Sequence, residues 1–304
     1  MMECVDHRDL SFSWRDGVCS ITGFDSLDLH TTCQCGQAFR WIRAGDAGQL
    51  EEGVVRGRLL RLEQRGAELV VHPPADDETV AIVADYFRLR QSHDALEAKI
   101  AETDHVMARA VDSARGLRLV AQEPWECLVS YIVSANNSVA QISRVVENLS
   151  RTWGRPVKGS LRRSFPAPSD LGCASETEVL ECKAGFRSRS ICEAAAKVAC
   201  GQLDLGAVAA MDYQAAKQEL MLLRGVGEKV ADCVLLFSMG KFEAFPVDVW
   251  IERAVRHLYF NGERVSHREI RQWAATSFGG LAGYAQEYLF AYARLAIPDK
   301  LRNG

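Results

Sequence analysis

One stretch constrains this chain more than any other: Leu223-Arg224-Gly225-Val226-Gly227-Glu228-Lys229-Val230-Ala231-Asp232-Cys233, followed downstream by Pro246-Val247-Asp248. Gln214 to Leu223 is composed of good helix formers, and Gly225 and Gly227 supply the positive φ values that end one helix and turn into the next. An apolar helix then runs from Glu228 to Met239, so the pattern is a hairpin between two helices. The first turn of the second helix has unpaired N–H groups and the positive end of the dipole, which suit a phosphate. Such a hairpin can hold a nucleic-acid backbone without reading its sequence.

Lys229 falls in that first turn, and Cys233, four residues on, shares its face. Dipole and partial burial there disfavour an ammonium, the direction that makes an amine nucleophilic. A solvated lysine or a plain phosphate contact would satisfy the same residues. Asp248 reads as the N-cap of a helix over Val249 to Tyr259. An aspartate held that rigidly can also accept a proton or oppose a developing cation.

GVGEKVADCVLLF followed by FPVDVWIERAV resembles the core of the helix-hairpin-helix DNA glycosylases, and in detail the 8-oxoguanine DNA glycosylase/AP lyase family. The resemblance implies that Lys229 attacks the sugar C1′ with Asp248 assisting. It also implies that the amides of Gly225, Val226 and Gly227 hold a DNA phosphate, with a bridging monovalent cation as in the family.

Four further segments carry the likeness, in the family's order, so that it covers the chain from about Ser11 to Leu295. Cys35-Gly36-Gln37-Ala38-Phe39-Arg40-Trp41 matches (S/C)GQ(S/A)FRW, in which the glycine carbonyl accepts from the N7–H of oxidised guanine; a tight turn is the plainer reading of Gly36. Ser134-Ala135-Asn136-Asn137-Ser138 matches the (S/A)NN turn that fills the hole left by a flipped base, although Asn136 and Asn137 could simply cap the helix from Val139. Ala184-Gly185-Phe186-Arg187-Ser188-Arg189 matches G(Y/F)RAR, which makes Phe186 the wedge and Arg187 a contact to the orphaned cytosine; a core Phe beside a surface Arg is the alternative. Ala282-Gly283-Tyr284-Ala285-Gln286-Glu287-Tyr288-Leu289-Phe290 matches AG(W/Y)AQ…LF. There Gln286 bonds the Watson–Crick edge of the base, Phe290 stacks on it and Cys233 covers the opposite face; core packing would equally account for Phe290.

Two positions depart from the eukaryotic pattern. Gln141 stands where those members have an arginine that reads the opposite cytosine, which implies relaxed opposite-base discrimination. Trp250 replaces a histidine near the lesion's 5′ phosphate.

The remaining composition bounds the rest. A chain of 304 residues, 48% hydrophobic and 25% charged, is long enough for one large or two modest domains. No run is long and apolar enough to span a bilayer, and the start MMECVDHRDL has no signal character, so an intracellular protein without membrane contact is expected. The ten cysteines are scattered and read as reduced core thiols. There is no CxxC, and none follows Cys233. Several helix-hairpin-helix glycosylases ligate an iron–sulfur cluster with four closely spaced C-terminal cysteines; this chain cannot hold one there, and no other cofactor is implied.

Net charge is −4, mildly against bulk electrostatic DNA binding. Arg144, Arg151, Arg155, Lys158, Arg162 and Arg163 nonetheless cluster with only Glu147 among them, which suggests a basic face. Short alternating segments from Leu10 to His72 predict an antiparallel sheet, and from Asp77 the helical period takes over. The expected class is α+β: an N-terminal antiparallel β-sheet domain over 1–116, then an all-helical helix-hairpin-helix domain over 117–304, divided near Gly116. The expected partner is double-stranded DNA containing 8-oxoguanine, bound by a monomer. A related glycosylase acting on alkylated or oxidised pyrimidine bases, and a catalytically silent DNA-binding module, are the alternatives.

Overall fold

The computed structural model describes residues 9–45 and 48–296. Its N-terminal layer is a six-stranded sheet, β1 (Ser11–Arg15), β2 (Val18–Thr22), β3 (Trp41–Ala44), β4 (Leu50–Val55), β5 (Arg58–Arg65) and β6 (Glu68–Val71), in the order β1-β2-β6-β5-β4-β3. Every neighbouring pair is antiparallel. A short helix, α1 (Leu29–Gln34), interrupts the strands, capped by the Asp28 carboxylate on Thr31 N.

The helices that follow are α2 (Asp77–Tyr86), α3 (His93–Ala101), α4 (His105–Ser113), α5 (Pro124–Ser134), α6 (Val139–Trp153), α7 (Pro168–Gly172), α8 (Glu176–Val179), α9 (Ser188–Ala199), α10 (Leu205–Ala210), α11 (Tyr213–Met221), α12 (Glu228–Met239), α13 (Val249–Tyr259), α14 (His267–Phe278) and α15 (Ala282–Ala296). None of the described helices is long and apolar enough to cross a membrane. The α+β class read from the sequence is the observed one.

Two large apolar cores result among the described residues. Alternate residues of β2, β5 and β6, among them Ile21, Leu60, Leu62 and Val71, close against Val83 and Phe87 at the end of α2. The second core is helical and receives Leu96, Ile100 and Met107 from α3 and α4. The division proposed after Gly116 therefore follows the covalent chain, while packing crosses it.

The junction is held by polar groups. The Gln37 amide nitrogen donates to the Thr32 and Arg118 carbonyls at 3.0 and 2.8 Å, and its Oε1 accepts from Val120 N at 2.9 Å. Its own carbonyl accepts from Tyr131 Oη at 3.0 Å and Gln122 Nε2 at 2.7 Å. Arg40, just before β3, sends Nε to Glu147 on α6 at 2.8 Å. Arg162 joins the same carboxylate, and Arg163 donates to the Gly154 carbonyl. Two members of the basic cluster thus serve the loop between α6 and α7 rather than an open face.

In this network burial pushes the Glu126 carboxyl up to about 7, with Arg40 opposing the rise. A carboxyl raised above its ordinary 4.5 favours folding most at low pH, and that contribution is lost as pH rises through about 7. Glu126→Gln should therefore match the wild type in thermal unfolding at about pH 5 and unfold at higher temperature than the wild type at about pH 8. An equal difference at both would show that the buried carboxyl does not titrate in this range.

Candidate functional site

Only one of the two hairpin glycines takes the positive φ expected of both: Gly227, the N-cap of the second helix, is extended at φ −95°, a backbone conformation open to other residues. Met221 ends α11, Gly225 takes φ +80°, and α12 starts at Glu228 after Gly227. An added Cβ on Gly225 would lie 2.7 Å from Ser190 Oγ, so space as well as conformation demands glycine. Val226 points inward, 5% exposed, while Gly225 and Gly227 lie open on the surface. A buried group fixes the two helices: Asp232 on α12 meets Lys217 Nζ at 2.9 Å and accepts from Tyr213 Oη at 2.7 Å. Removing one member of such a pair costs about 3–5 kcal/mol, because the other charge stays buried.

Lys229, in the first turn of α12, is half-buried and lines a cleft of about 1060 Å³. Its Nζ donates to Ser134 Oγ at 2.9 Å and lies 5.0 Å from the centre of the Tyr131 ring. Asp248 is the N-cap of α13, with Oδ1 accepting from Ile251 N at 2.8 Å, and lines the same cleft. Cys233, one turn beyond Lys229, is within electrostatic reach of both. Burial pushes its thiol up to about 12, so at neutral pH it presents an uncharged S–H.

Further lining comes from α15 and the turn before β3. Gln286 is 5% exposed, and its Oε1 is buried without a hydrogen-bond partner among the described residues. An unmet buried carbonyl costs about 1–3 kcal/mol, which a ligand donating N–H would recover. Phe290 lies four residues on, on the same face. The other face is anchored by Tyr288, whose hydroxyl lies 2.8 Å from Glu97 Oε1 and 3.0 Å from the Leu117 carbonyl. Gly36 has φ +105°, and a Cβ there would point between Val139 and the Phe290 ring. The turn and the ring of Phe290 therefore face one slot.

The rim holds the remaining residues read from the sequence. Asn136 is exposed in the left-handed region at φ +53°, and Asn137 Nδ2 donates to the Val133 carbonyl at 3.0 Å. Both line the cleft. Gln141 does not; its Oε1 accepts from Ser138 N at 3.0 Å while Gln141 N donates to Ser138 Oγ, a capping box that starts α6. Phe186 is 75% exposed. The Arg187 guanidinium stacks 4.2 Å over its ring, and Arg187 is itself buried. Its Nε donates to the Ala135 carbonyl at 3.0 Å and its Nη2 to the Ala135 and Asn136 carbonyls. Burial lowers the Arg187 pKa from its ordinary value. The structure thus brings Gly36, Asn136, Asn137, Gly225, Gly227, Lys229, Cys233, Asp248, Gln286 and Phe290 to one cleft, with Val226, Gln141, Phe186 and Arg187 outside its lining.

Sequence reasoning missed Tyr131, Ser134, His267 and Glu287, all of which line the cleft. His267 Nε2 lies 3.0 Å from Glu252 Oε2 beside Trp250. The position of Ser134 directly before the Asn turn was the one usable signal. No group of three or more His, Cys, Asp or Glu among the described residues could hold a metal ion, and the nine described cysteines are free.

A hairpin beside a deep cleft with a lysine and a capping aspartate defines a class, and comparison with known proteins agrees. Residues 129–278 match the model of the HhH-GPD superfamily of base excision DNA repair proteins, and residues 22–128 that of the 8-oxoguanine DNA glycosylase N-terminal domain. The chain belongs to the 8-oxoguanine DNA glycosylase family. It is 36% identical to a probable N-glycosylase/DNA lyase of Methanothermobacter thermautotrophicus over 66% of this chain and 71% of that protein. Among solved structures it is similar to MBOgg1 in complex with a low-affinity DNA ligand, with a TM-score of 0.90, 34% identity and coverage of 94% of this chain and 99% of that one. It is also similar to the Clostridium acetobutylicum 8-oxoguanine glycosylase/lyase in complex with double-stranded DNA containing cytosine opposite 8-oxoG, with a TM-score of 0.88, 31% identity and coverage of 95% and 99%.

Arg187 is the one rim residue whose bonds tie two segments together. Arg187→Ala should leave the Ala135 and Asn136 carbonyls without their charged donor, at a cost of about 1.5–3 kcal/mol. The expected readouts are a lower unfolding midpoint in urea and faster amide exchange over residues 135–138; unchanged exchange there would show that the turn holds itself.

Proposed function

We propose that this protein excises 8-oxoguanine from duplex DNA, with Lys229 as the nucleophile, and then cleaves the strand at the resulting site. The coarser statement stands on the family: the chain is an N-glycosylase/DNA lyase of base excision repair. The observation that carries the finer one is the cleft itself, lined by the Lys229 amine, the Asp248 carboxylate and a Gln286 carbonyl that has no partner among the described residues.

A base reaches such a slot only by leaving the stack, with Phe186 exposed to fill the gap and the Asn136-Asn137 turn beside it. In the slot, Gln286 Oε1 accepts from the N–H donors of a guanine Watson–Crick edge. Gly36 offers its carbonyl to the N7–H that oxidised guanine has, and Phe290 stacks on the ring. The lone pair of the neutral Lys229 amine forms a bond to C1′, and the glycosidic pair leaves with the base. Asp248, fixed by its cap, opposes the positive charge that develops on the sugar. Ring opening gives a Schiff base, and loss of the C2′ proton expels the 3′ phosphate. The hairpin amides of Gly225, Val226 and Gly227 hold the backbone, and a bridging monovalent cation there is part of the proposal. No cofactor enters any step, and the protein acts as a monomer.

Borohydride trapping tests the nucleophile. On a duplex with one 8-oxoguanine opposite cytosine, wild type should form a covalent adduct, and Lys229→Gln should bind the duplex yet neither excise nor trap. Excision by Lys229→Gln near the wild-type rate would remove Lys229 from its role.

Gln141 supports relaxed opposite-base choice, because its Oε1 is occupied in the capping box and it carries no charge to offer a cytosine. Single-turnover rates against the four opposite bases should differ little. A strong preference for cytosine would overturn this part of the reading.

A further inference from the structure

Resting on the reading of Lys229 as nucleophile, we infer that Ser134 is a positioning residue that holds the Lys229 amine by accepting from it and leaves the amine's lone pair uncapped. Ser134 is the last residue of α5 and is buried at 9% exposure. Its hydroxyl lies 2.7 Å from the Tyr131 carbonyl and 2.9 Å from Lys229 Nζ. A carbonyl can only accept, so the single hydroxyl hydrogen of Ser134 is spent on Tyr131. Toward Lys229 the serine has only lone pairs, and the amine must be the donor. A neutral amine has two N–H bonds and one lone pair. With one N–H directed at Ser134, the lone pair points elsewhere.

A serine free to rotate could instead donate to that lone pair and mask it. The Tyr131 carbonyl prevents this. Tyr131 also limits the amine from a second side with its ring face, which is itself fixed by the bond from its hydroxyl to the Gln37 carbonyl and by stacking on Phe237 with planes 10° apart. Residues 131 and 134 are three apart on α5, so one helical turn presents both contacts. Lysine has a long, rotamer-rich stem, and fixing its tip before the lesion arrives removes an entropic cost from the attack. The turn that follows Ser134 is gripped by Arg187 through the Ala135 and Asn136 carbonyls, so the end of α5 is braced on its far side.

The test is single-turnover excision on the duplex with 8-oxoguanine opposite cytosine, with wild type, Ser134→Ala, Ser134→Thr and Lys229→Gln side by side. Each is read as the maximal rate and the enzyme concentration giving half of it. Ser134→Ala should lose about 10- to 100-fold in maximal rate, the scale of a misplaced reacting group, with the half-saturating concentration unchanged. Ser134→Thr, which keeps a hydroxyl able to bond the same carbonyl, should restore most of the rate. Wild-type rate in Ser134→Ala, a loss that appears only as weaker binding, or equal loss in Ala and Thr would each overturn the inference. Borohydride trapping of Lys229→Gln at the wild-type level would instead bring down the reading of Lys229, whatever Ser134 does.

Discussion

The architecture depends on one buried side chain. Gln37 is 1% exposed; its side-chain amide bonds Thr32 in α1 and the backbone of Arg118 and Val120, and its backbone carbonyl accepts from Gln122 and from Tyr131 on α5. An amide in a low-dielectric interior is worth most when every donor and acceptor is met, and costs most when one is lost. Here all are met by groups on both sides of the junction between the sheet and the helices. Gly36 owes its place to its neighbour: the residue that faces the slot is held by the residue that closes the joint.

The chemistry across the slot is arranged by contrast. One set of lining residues is a lysine, an aspartate and a thiol kept uncharged by burial; another is an aromatic ring and a carbonyl that lacks a donor among the described residues. In the proposed function the first set serves a reaction at a sugar, and the second meets the face and edge of a base. Asp248 is bound by its helix cap, which limits its motion. Arg187 occupies the rim in a way the resemblance did not suggest, because its donors are directed at backbone carbonyls of the Asn turn. An encounter with a cytosine would have to compete for those donors or share them.

Much of this was readable beforehand. Val249–Tyr259 was placed to the residue, and Glu228–Met239 was placed approximately and proved to have those bounds, because capping aspartate, hairpin glycines and apolar spacing agree there. The helical period of α2 from Asp77 was plain as well; its Asp76 cap came only with the structure. Other elements left no such trace. β1 is an edge strand exposed along its whole length, so its alternation reports no buried face. α1 is six residues long, rich in threonine, and stands on the Asp28 cap more than on propensity. Within the site, Lys229, Asp248 and Gln286 are visible as motif positions. The partners of Arg187, the cap formed by Gln141 and the bond from Lys229 to Ser134 depend on segments that meet only after folding. Arg162 and Arg163 show the same limit: counted along the chain they suggest an open basic face, and in space they answer to Glu147 and a loop carbonyl.

Ser134 is the end of α5, Lys229 lies in the first turn of α12, and Asp248 is the cap of α13. The two groups proposed to react and the serine proposed to position one of them therefore stand on helix termini, where backbone hydrogen bonds are fewest and fraying begins. The cores beneath them are dense and continuous. On warming, the geometry of the cleft would blur while the helices behind it remained intact. Heat would disarm this protein before it unfolded it.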